Sequence, residues 1–218
     1  LVLPKEAYIL AISTIEDLVN TPHGGLLSFG FILAMYFATN GINAMMDAFN
    51  QSVHIAEKRS FFYQQLISIL VVFIQSFLLI IAISLLVFGQ ITLDFLNENG
   101  IITSWINIFL LTAGQWFTIA ALFYFAISFL YYFGPSIKGK WKFFSAGSTL
   151  ATILMIIVSS GFAFYVNNFG QYNKVYGSIG TLIVIMLWIQ FNSIILLIGF
   201  ELNASIRNAK HRHSISNT

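Results

Sequence analysis

Five long apolar stretches, none with a charged side chain in its interior, set the strongest limit on how this chain can fold. Crossing a hydrocarbon core of about 30 Å takes about 20 helical residues, and each stretch reaches that length. At this length only α-helices keep every backbone polar group bonded in lipid, because barrel strands are about ten residues long and alternate in polarity. The sequence therefore predicts an all-α bundle of transmembrane helices. The predicted spans cover about 24–46, 66–89, 105–131, 143–167 and 177–201.

The composition agrees with burial in lipid. Only 8% of the 218 residues are charged, whereas an ordinary soluble domain carries about a quarter. The chain has no Cys, which excludes disulfides and Cys-ligated metal sites, and its net charge of +2 is too small to indicate nucleic-acid binding. We therefore expect one transmembrane domain over 1–218, with no cofactor and no nucleic-acid partner.

A shorter segment precedes the first predicted span. Within 4–20, Tyr8, Ile12, Ile15 and Val19 form one apolar stripe, and polar residues occupy the other side. This pattern predicts an amphipathic helix that lies on the membrane surface or packs across the bundle.

Basic residues alternate between the loops and so predict an orientation. Eight of the ten Lys and Arg residues lie in the loops after the first and third spans and in the tail at 205–218. By the positive-inside rule these segments are cytoplasmic. Residue 1 then lies outside the cytoplasm, so we expect an earlier span ahead of this chain and a six-span protein with both ends cytoplasmic.

Three motifs in the second half of the chain are specific enough to compare with a family. They are Tyr131-Tyr132-Phe133-Gly134-Pro135, Tyr176-Gly177-Ser178-Ile179-Gly180 and Gly199-Phe200-Glu201-Leu202-Asn203-Ala204. Their order resembles the C-terminal half of the YihY/BrkB family, and Asn40-Gly41 and Glu57-Lys58-Arg59 resemble earlier landmarks of that family. Ser60 departs from its pattern, which usually has a proline closely after the arginine.

The resemblance implies six transmembrane helices in the bacterial inner membrane. Members of the family have carried labels as a ribonuclease and as a virulence factor. These labels bring no secure activity to this chain, because function has to be argued from a site.

Polar side chains within the spans are candidates for lining a polar cavity. They are Tyr36, Asn40, Asn43, Asp47, Gln75, Gln115, Gln190 and Asn192. The first four recur at i, i+4, i+7 and i+11 and share one face, roughly opposite a small-residue face of Gly30, Ala34 and Ala38 that permits close helix approach. The fifth span presents two polar faces, one of Thr181, Trp188, Asn192, Gly199 and Asn203, the other of Gln190 and Glu201. Such amides either join helices or line a substrate route, and the sequence leaves both open.

Charged residues near the predicted cytoplasmic side indicate two further contacts. We expect an ion pair between Arg59 and Glu201, acting as a structural link or as a gate. Lys138, Lys140 and Lys142 help to fix the topology. We expect them also to contact anionic lipid headgroups.

No sequence motif indicates catalysis. The four His residues are dispersed, and no phosphate-binding loop or nucleophile motif occurs. No carboxylate lies deep in a span, which argues against a proton-coupled antiporter. The sequence favours a non-enzymatic membrane protein that transports or handles a solute or lipid through a polar cavity. The alternatives are a structural or envelope-maintenance protein without a pathway and, more remotely, a membrane-bound ribonuclease. Expected partners are membrane lipids and that unidentified solute or lipid, and association with further copies of the chain is open.

Overall fold

The computed structural model describes residues 24–52, 59–98, 105–136, 142–169 and 178–216. The regular elements in these ranges are α1 (Gly24–Ser52), α2 (Phe61–Glu98), α3 (Trp105–Phe133), α4 (Ala146–Phe169) and α5 (Ser178–Ser216). All five helices are long and apolar enough to cross a membrane. The predicted all-α polytopic bundle is therefore confirmed. The amphipathic helix predicted at 4–20 lies outside the described residues, as do Lys138 and Lys140.

Two helices extend well beyond the spans predicted from hydropathy. α2 has 38 residues and α5 has 39, so each is about 57–58 Å long at 1.5 Å per residue. The segment from 205 to 216, which belongs to the predicted tail, is helical. It contains no Gly or Pro, and each added residue extends the backbone hydrogen bonding of an existing helix at little cost.

The helices form a ring in which each packs against its neighbours in sequence and α5 returns to α1. Their shared core comprises Met46, Phe49, Ile67, Val71, Ile127, Leu130, Tyr131, Ala151, Ile195, Leu196 and Phe200. These residues come from the later parts of α1 and α3, the middle of α5 and the earlier parts of α2 and α4. The helices thus run in alternating directions, and the core lies toward the ends of α1 and α3 and the starts of α2 and α4. We call this the core end; it is the end for which the sequence predicts a cytoplasmic location.

The closest helix approach lies between α4 and α5. A Cβ atom added to Gly199 would lie 2.7 Å from the carbonyl oxygen of Gly147 and 2.7 Å from the Cβ of Ala151. Real Cβ atoms essentially never come within 3.0 Å of a neighbour, so only glycine fits at position 199. A Cβ added to Gly30 of α1, by contrast, would meet no described atom within 4 Å. Among the described glycines the close helix approach is thus at Gly147 and Gly199, and Gly30 makes none.

Candidate functional site

A groove of about 370 Å³ lies between α1, α2 and α3. On each of these helices, the residues that line the groove lie next to the core residues, on the side away from the core end. They are Ala38, Ile42, Val72, Gln75, Ser76, Leu78, Leu79, Ala82, Leu122, Phe123 and Ala126. Nine of these eleven side chains are apolar, so the groove suits a hydrocarbon chain better than a hydrated solute.

Gln75 is the amide in the wall of this groove. It lies fourteen residues from either end of the membrane-spanning stretch Phe61–Gly89, so it is at the middle of that span. Its Nε2 donates a hydrogen bond of 2.8 Å to the carbonyl oxygen of Ala126 on α3. Gln115 makes a comparable bond in the reverse direction, from its Nε2 to the carbonyl oxygen of Leu86 at 3.3 Å, and lies outside the groove. Both glutamines therefore join α2 to α3, but only Gln75 lines the groove.

The polar stripe of α1 divides into two parts. Nearer the core end, half-buried Asn43 donates to Oε1 of Gln65 at 2.8 Å and accepts a hydrogen bond from the hydroxyl of Ser68. One turn further on, Asp47 accepts a bond of 3.1 Å from Nε2 of Gln64. These contacts join α1 to α2 and line no described cavity.

The outer part of the stripe faces away from the bundle. Tyr36 is 58% exposed, and Asn40 is also exposed. Neither lines the groove, and the same is true of exposed Gln190 on α5. The structure therefore does not bring the predicted polar residues together around one cavity.

The first polar face of α5 is its interface with α4. Buried Asn192 accepts a bond of 3.2 Å from the hydroxyl of Ser159, and its Nδ2 donates to the carbonyl oxygen of Trp188 at 2.7 Å. The indole Nε1 of Trp188 donates to Ser159 at 3.1 Å, which closes the network. Nearer the core end, Oδ1 of Asn203 accepts the N–H of Gly147 at 2.8 Å. These amides hold helices together, which is a common use of polar groups in lipid.

Two asparagines three residues apart on α1 test whether the two parts of its polar stripe have different roles. We expect Asn43→Leu to lower the free energy of unfolding by about 1–2 kcal/mol, because Gln65 and Ser68 each lose a partner. Asn40→Leu should change it by less than about 0.5 kcal/mol, because Asn40 is exposed. Denaturant titration of both variants in detergent micelles measures the difference. Equal losses would contradict the separate roles.

Arg59 binds the C-terminal end of α3. Its Nη1 donates to the carbonyl oxygen of Phe133 at 2.9 Å and to that of Gly134 at 3.3 Å, and its Nη2 donates to that of Pro135. The last carbonyls of a helix lack partners within the helix and carry its negative dipole end, so a cation is favoured there. Burial lowers the pKa of the Arg59 guanidinium, with an opposing contribution from Tyr63.

The predicted ion pair between Arg59 and Glu201 is replaced by separate contacts. The carboxylate of Glu201 is exposed and accepts a bond of 3.2 Å from the hydroxyl of Ser52 at the end of α1. The planar guanidinium of Arg59 instead donates to three carbonyl oxygens at the end of α3 and just after it. A single carboxylate could not accept from the guanidinium in the same arrangement. Asn50 exchanges two hydrogen bonds of 2.8 and 2.9 Å with Ser136 just after α3. The ends of α1 and α3 are thus joined without an ion pair between Arg59 and Glu201.

Lys142 lies beside an aromatic cluster on the outside of α3. The ring of Phe143 packs edge-on against Phe129 with centroids 4.8 Å apart, and Phe144 stacks on Tyr124 at 5.8 Å. The chain therefore runs back along α3 before α4 begins. Lys142 is exposed, and aromatic rings beside basic residues are typical of the membrane interface. Headgroup contact by Lys142 stays a prediction.

Comparison with known proteins adds the family. The chain matches the family model described as virulence factor BrkB over residues 1–217. It is 35% identical over 212 residues to the ribonuclease-like protein YfkH of Bacillus subtilis (strain 168), which covers 95% of this chain and 75% of that protein. It is 29% identical over 133 residues to a UPF0761 membrane protein of Vibrio campbellii, which covers 61% of this chain and 41% of the relative. No solved structure matches the chain significantly. With five helices suited to span a membrane and a family match along nearly its whole length, the chain is a multi-pass membrane protein that belongs to the BrkB virulence factor family.

Proposed function

We propose that this protein is a non-enzymatic lipid-handling protein that binds an acyl chain in the groove between α1, α2 and α3. The observation that carries the proposal is the groove itself, whose walls are apolar at nine of eleven positions. It lies along the middle of membrane-spanning helices, where the surrounding solvent is hydrocarbon. An acyl chain can fill such a space without losing hydrogen bonds to water.

A lipid is better supported than a water-soluble solute because several of the polar side chains that could solvate a solute bond to the protein itself. Asn43, Asp47 and Asn192 all bond to neighbouring helices or within the bundle. A hydrated solute would also need polar walls, since an unpaired polar group in an apolar site is costly.

We place the core end in the cytoplasm and the protein in the inner membrane as part of the same proposal. Arg59, Lys142 and Arg207 all lie toward the core end of their helices or loops. This arrangement follows the positive-inside rule.

A structural or envelope-maintenance role without a ligand is the second candidate. The same interhelical amide bonds favour it, because they stabilise a bundle and need no pathway. It differs from the first candidate in predicting that the groove has no specific lipid.

Two alanines one turn apart on α1 separate these candidates. We would reconstitute the protein with a phospholipid that carries a photoactivatable group in its acyl chain and map the labelled peptides. We expect labelling within 72–82 and 122–126 in the unchanged protein. Ala38→Trp should remove most of it, because Ala38 lines the groove and the indole occupies that space.

Ala34→Trp is the matched control, since Ala34 is also exposed but does not line the groove. It should leave the labelling within 72–82 and 122–126 unchanged. Equal labelling of the two tryptophan variants would contradict lipid binding in the groove and favour the structural role.

A further inference from the structure

We infer that the groove takes an uncharged lipid with a free hydroxyl group, which hydrogen-bonds to Gln75 at the middle of the bilayer. This inference rests on the proposed lipid-handling function and names the chemical class of the ligand.

The depth of Gln75 limits what can reach it. Fourteen residues separate it from either end of the span Phe61–Gly89, which corresponds to about 21 Å of helix in each direction. The headgroups of resting bilayer lipids lie near the ends of such a span. A group that contacts Gln75 therefore lies in the hydrocarbon interior, where a charge is costly. The described residues that line the groove include no charged side chain that would offset this cost.

The amide of Gln75 has bonding capacity left for a ligand. A carboxamide has two N–H donors and an acceptor oxygen, and the structure gives Gln75 one bond, to the carbonyl oxygen of Ala126. Ser76 adds a hydroxyl to the same wall. The amide of Gln115, by contrast, packs over Gly89, where an added Cβ would lie 2.8 Å from its Nε2. Of these two glutamines, Gln75 is thus the one that faces an open space.

A hydroxyl group complements this amide better than an ester group does. It can donate to Oε1 of Gln75 and accept from the remaining N–H, whereas an ester carbonyl can only accept. Leaving Oε1 unpaired in hydrocarbon is costly, so the ligand that pairs it is favoured. The aliphatic walls, including Ile42, Leu79 and Leu122, would contact the hydrocarbon chains. A diacylglycerol has both parts and is the probe that we choose.

The test compares diacylglycerol with the same lipid acetylated at its hydroxyl, both with a photoactivatable group in one chain. We expect the unchanged protein in nanodiscs to be labelled within 72–82 roughly three- to tenfold more by diacylglycerol, the scale of one or two hydrogen bonds. Gln75→Leu should bring this ratio to about one, because leucine bonds to neither probe. Gln115→Leu is the matched control and should keep the ratio, since it removes a similar bond between α2 and α3 outside the groove.

The outcomes distinguish this inference from the proposed function. Equal labelling by the two probes in the unchanged protein would overturn the hydroxyl inference. If that labelling is still lost in Ala38→Trp, lipid binding in the groove would stand. A ratio that survives Gln75→Leu would also overturn the role of Gln75. If neither probe nor the phospholipid labels the groove, the proposed function and the hydroxyl inference are both overturned. The comparison in the unchanged protein needs no variant to fold.

Discussion

Replacing Gly199 with alanine is expected to destabilise the bundle strongly, although the change adds only one methyl group. The new Cβ would lie 2.5 Å from Oη of Tyr131 and 2.7 Å from both the Gly147 carbonyl oxygen and the Ala151 Cβ. Oη of Tyr131 cannot move away freely, because it donates to the carbonyl oxygen of Leu196 at 2.7 Å. The backbones of α4 and α5 must then separate. Overpacking a core costs about 1–3 kcal/mol and more where backbone has to shift, so we expect about 3 kcal/mol or more.

The matched control is Gly161→Ala on α4. A Cβ at Gly161 would meet no described atom within 4 Å, and alanine is a better helix former than glycine by up to about 1 kcal/mol. The same substitution should therefore be neutral or stabilising at this position. Thermal unfolding of both variants in detergent measures the difference. A loss of similar size at both positions would show that Gly199 is not required for close packing.

The membrane-spanning helices could be predicted from the sequence because length and apolarity are local properties. Their ends could not, as α5 shows. Its last part carries Arg207 and other polar residues and leaves the apolar stretch, yet it continues to Ser216. Backbone hydrogen bonding, which hydropathy does not measure, maintains the helix there.

The polar faces follow from periodicity, but their partners do not. Trp188, Asn192 and Asn203 share a face of α5, as their spacing indicates, and the structure shows that this face packs on α4. Asn40 and Asn43 belong to one predicted stripe, yet a three-residue step rotates a side chain by about 60° around the helix. That rotation brings Asn43 to α2 and leaves Asn40 exposed.

The groove gives little signal in the sequence, because most of its lining residues are ordinary apolar side chains of membrane helices. Gln75 stands out there only as an isolated amide in the second span, and Ala38 only as a small residue. That both line one space depends on how α1 and α2 pack, which no local pattern encodes.

Arg59→Ala is expected to have the second largest effect on stability. Its guanidinium donates to the carbonyl oxygens of Phe133, Gly134 and Pro135. Hydrogen bonds to a charged group contribute about 1.5–3 kcal/mol each, and less where water competes. Because Arg59 is half-buried, we expect a total loss of about 2–4 kcal/mol. Arg59→Lys should recover only part of it, because an ammonium lacks the planar array of donors.

A double-mutant cycle with Glu201→Ala tests whether these carbonyls, and not Glu201, are the partners of Arg59. Glu201 is exposed and bonds to Ser52, so its loss should lower the free energy of unfolding by less than about 1 kcal/mol. The two residues share no partner among the described residues, and the double variant should therefore lose the sum of the single losses within about 0.5 kcal/mol. Denaturant titration of the four proteins in one detergent gives the coupling energy. A coupling above about 1 kcal/mol would restore the ion pair predicted from the sequence, because each charge would then depend on the other. Additive losses would instead assign Arg59 to the end of α3, where it holds the turn that leads toward α4.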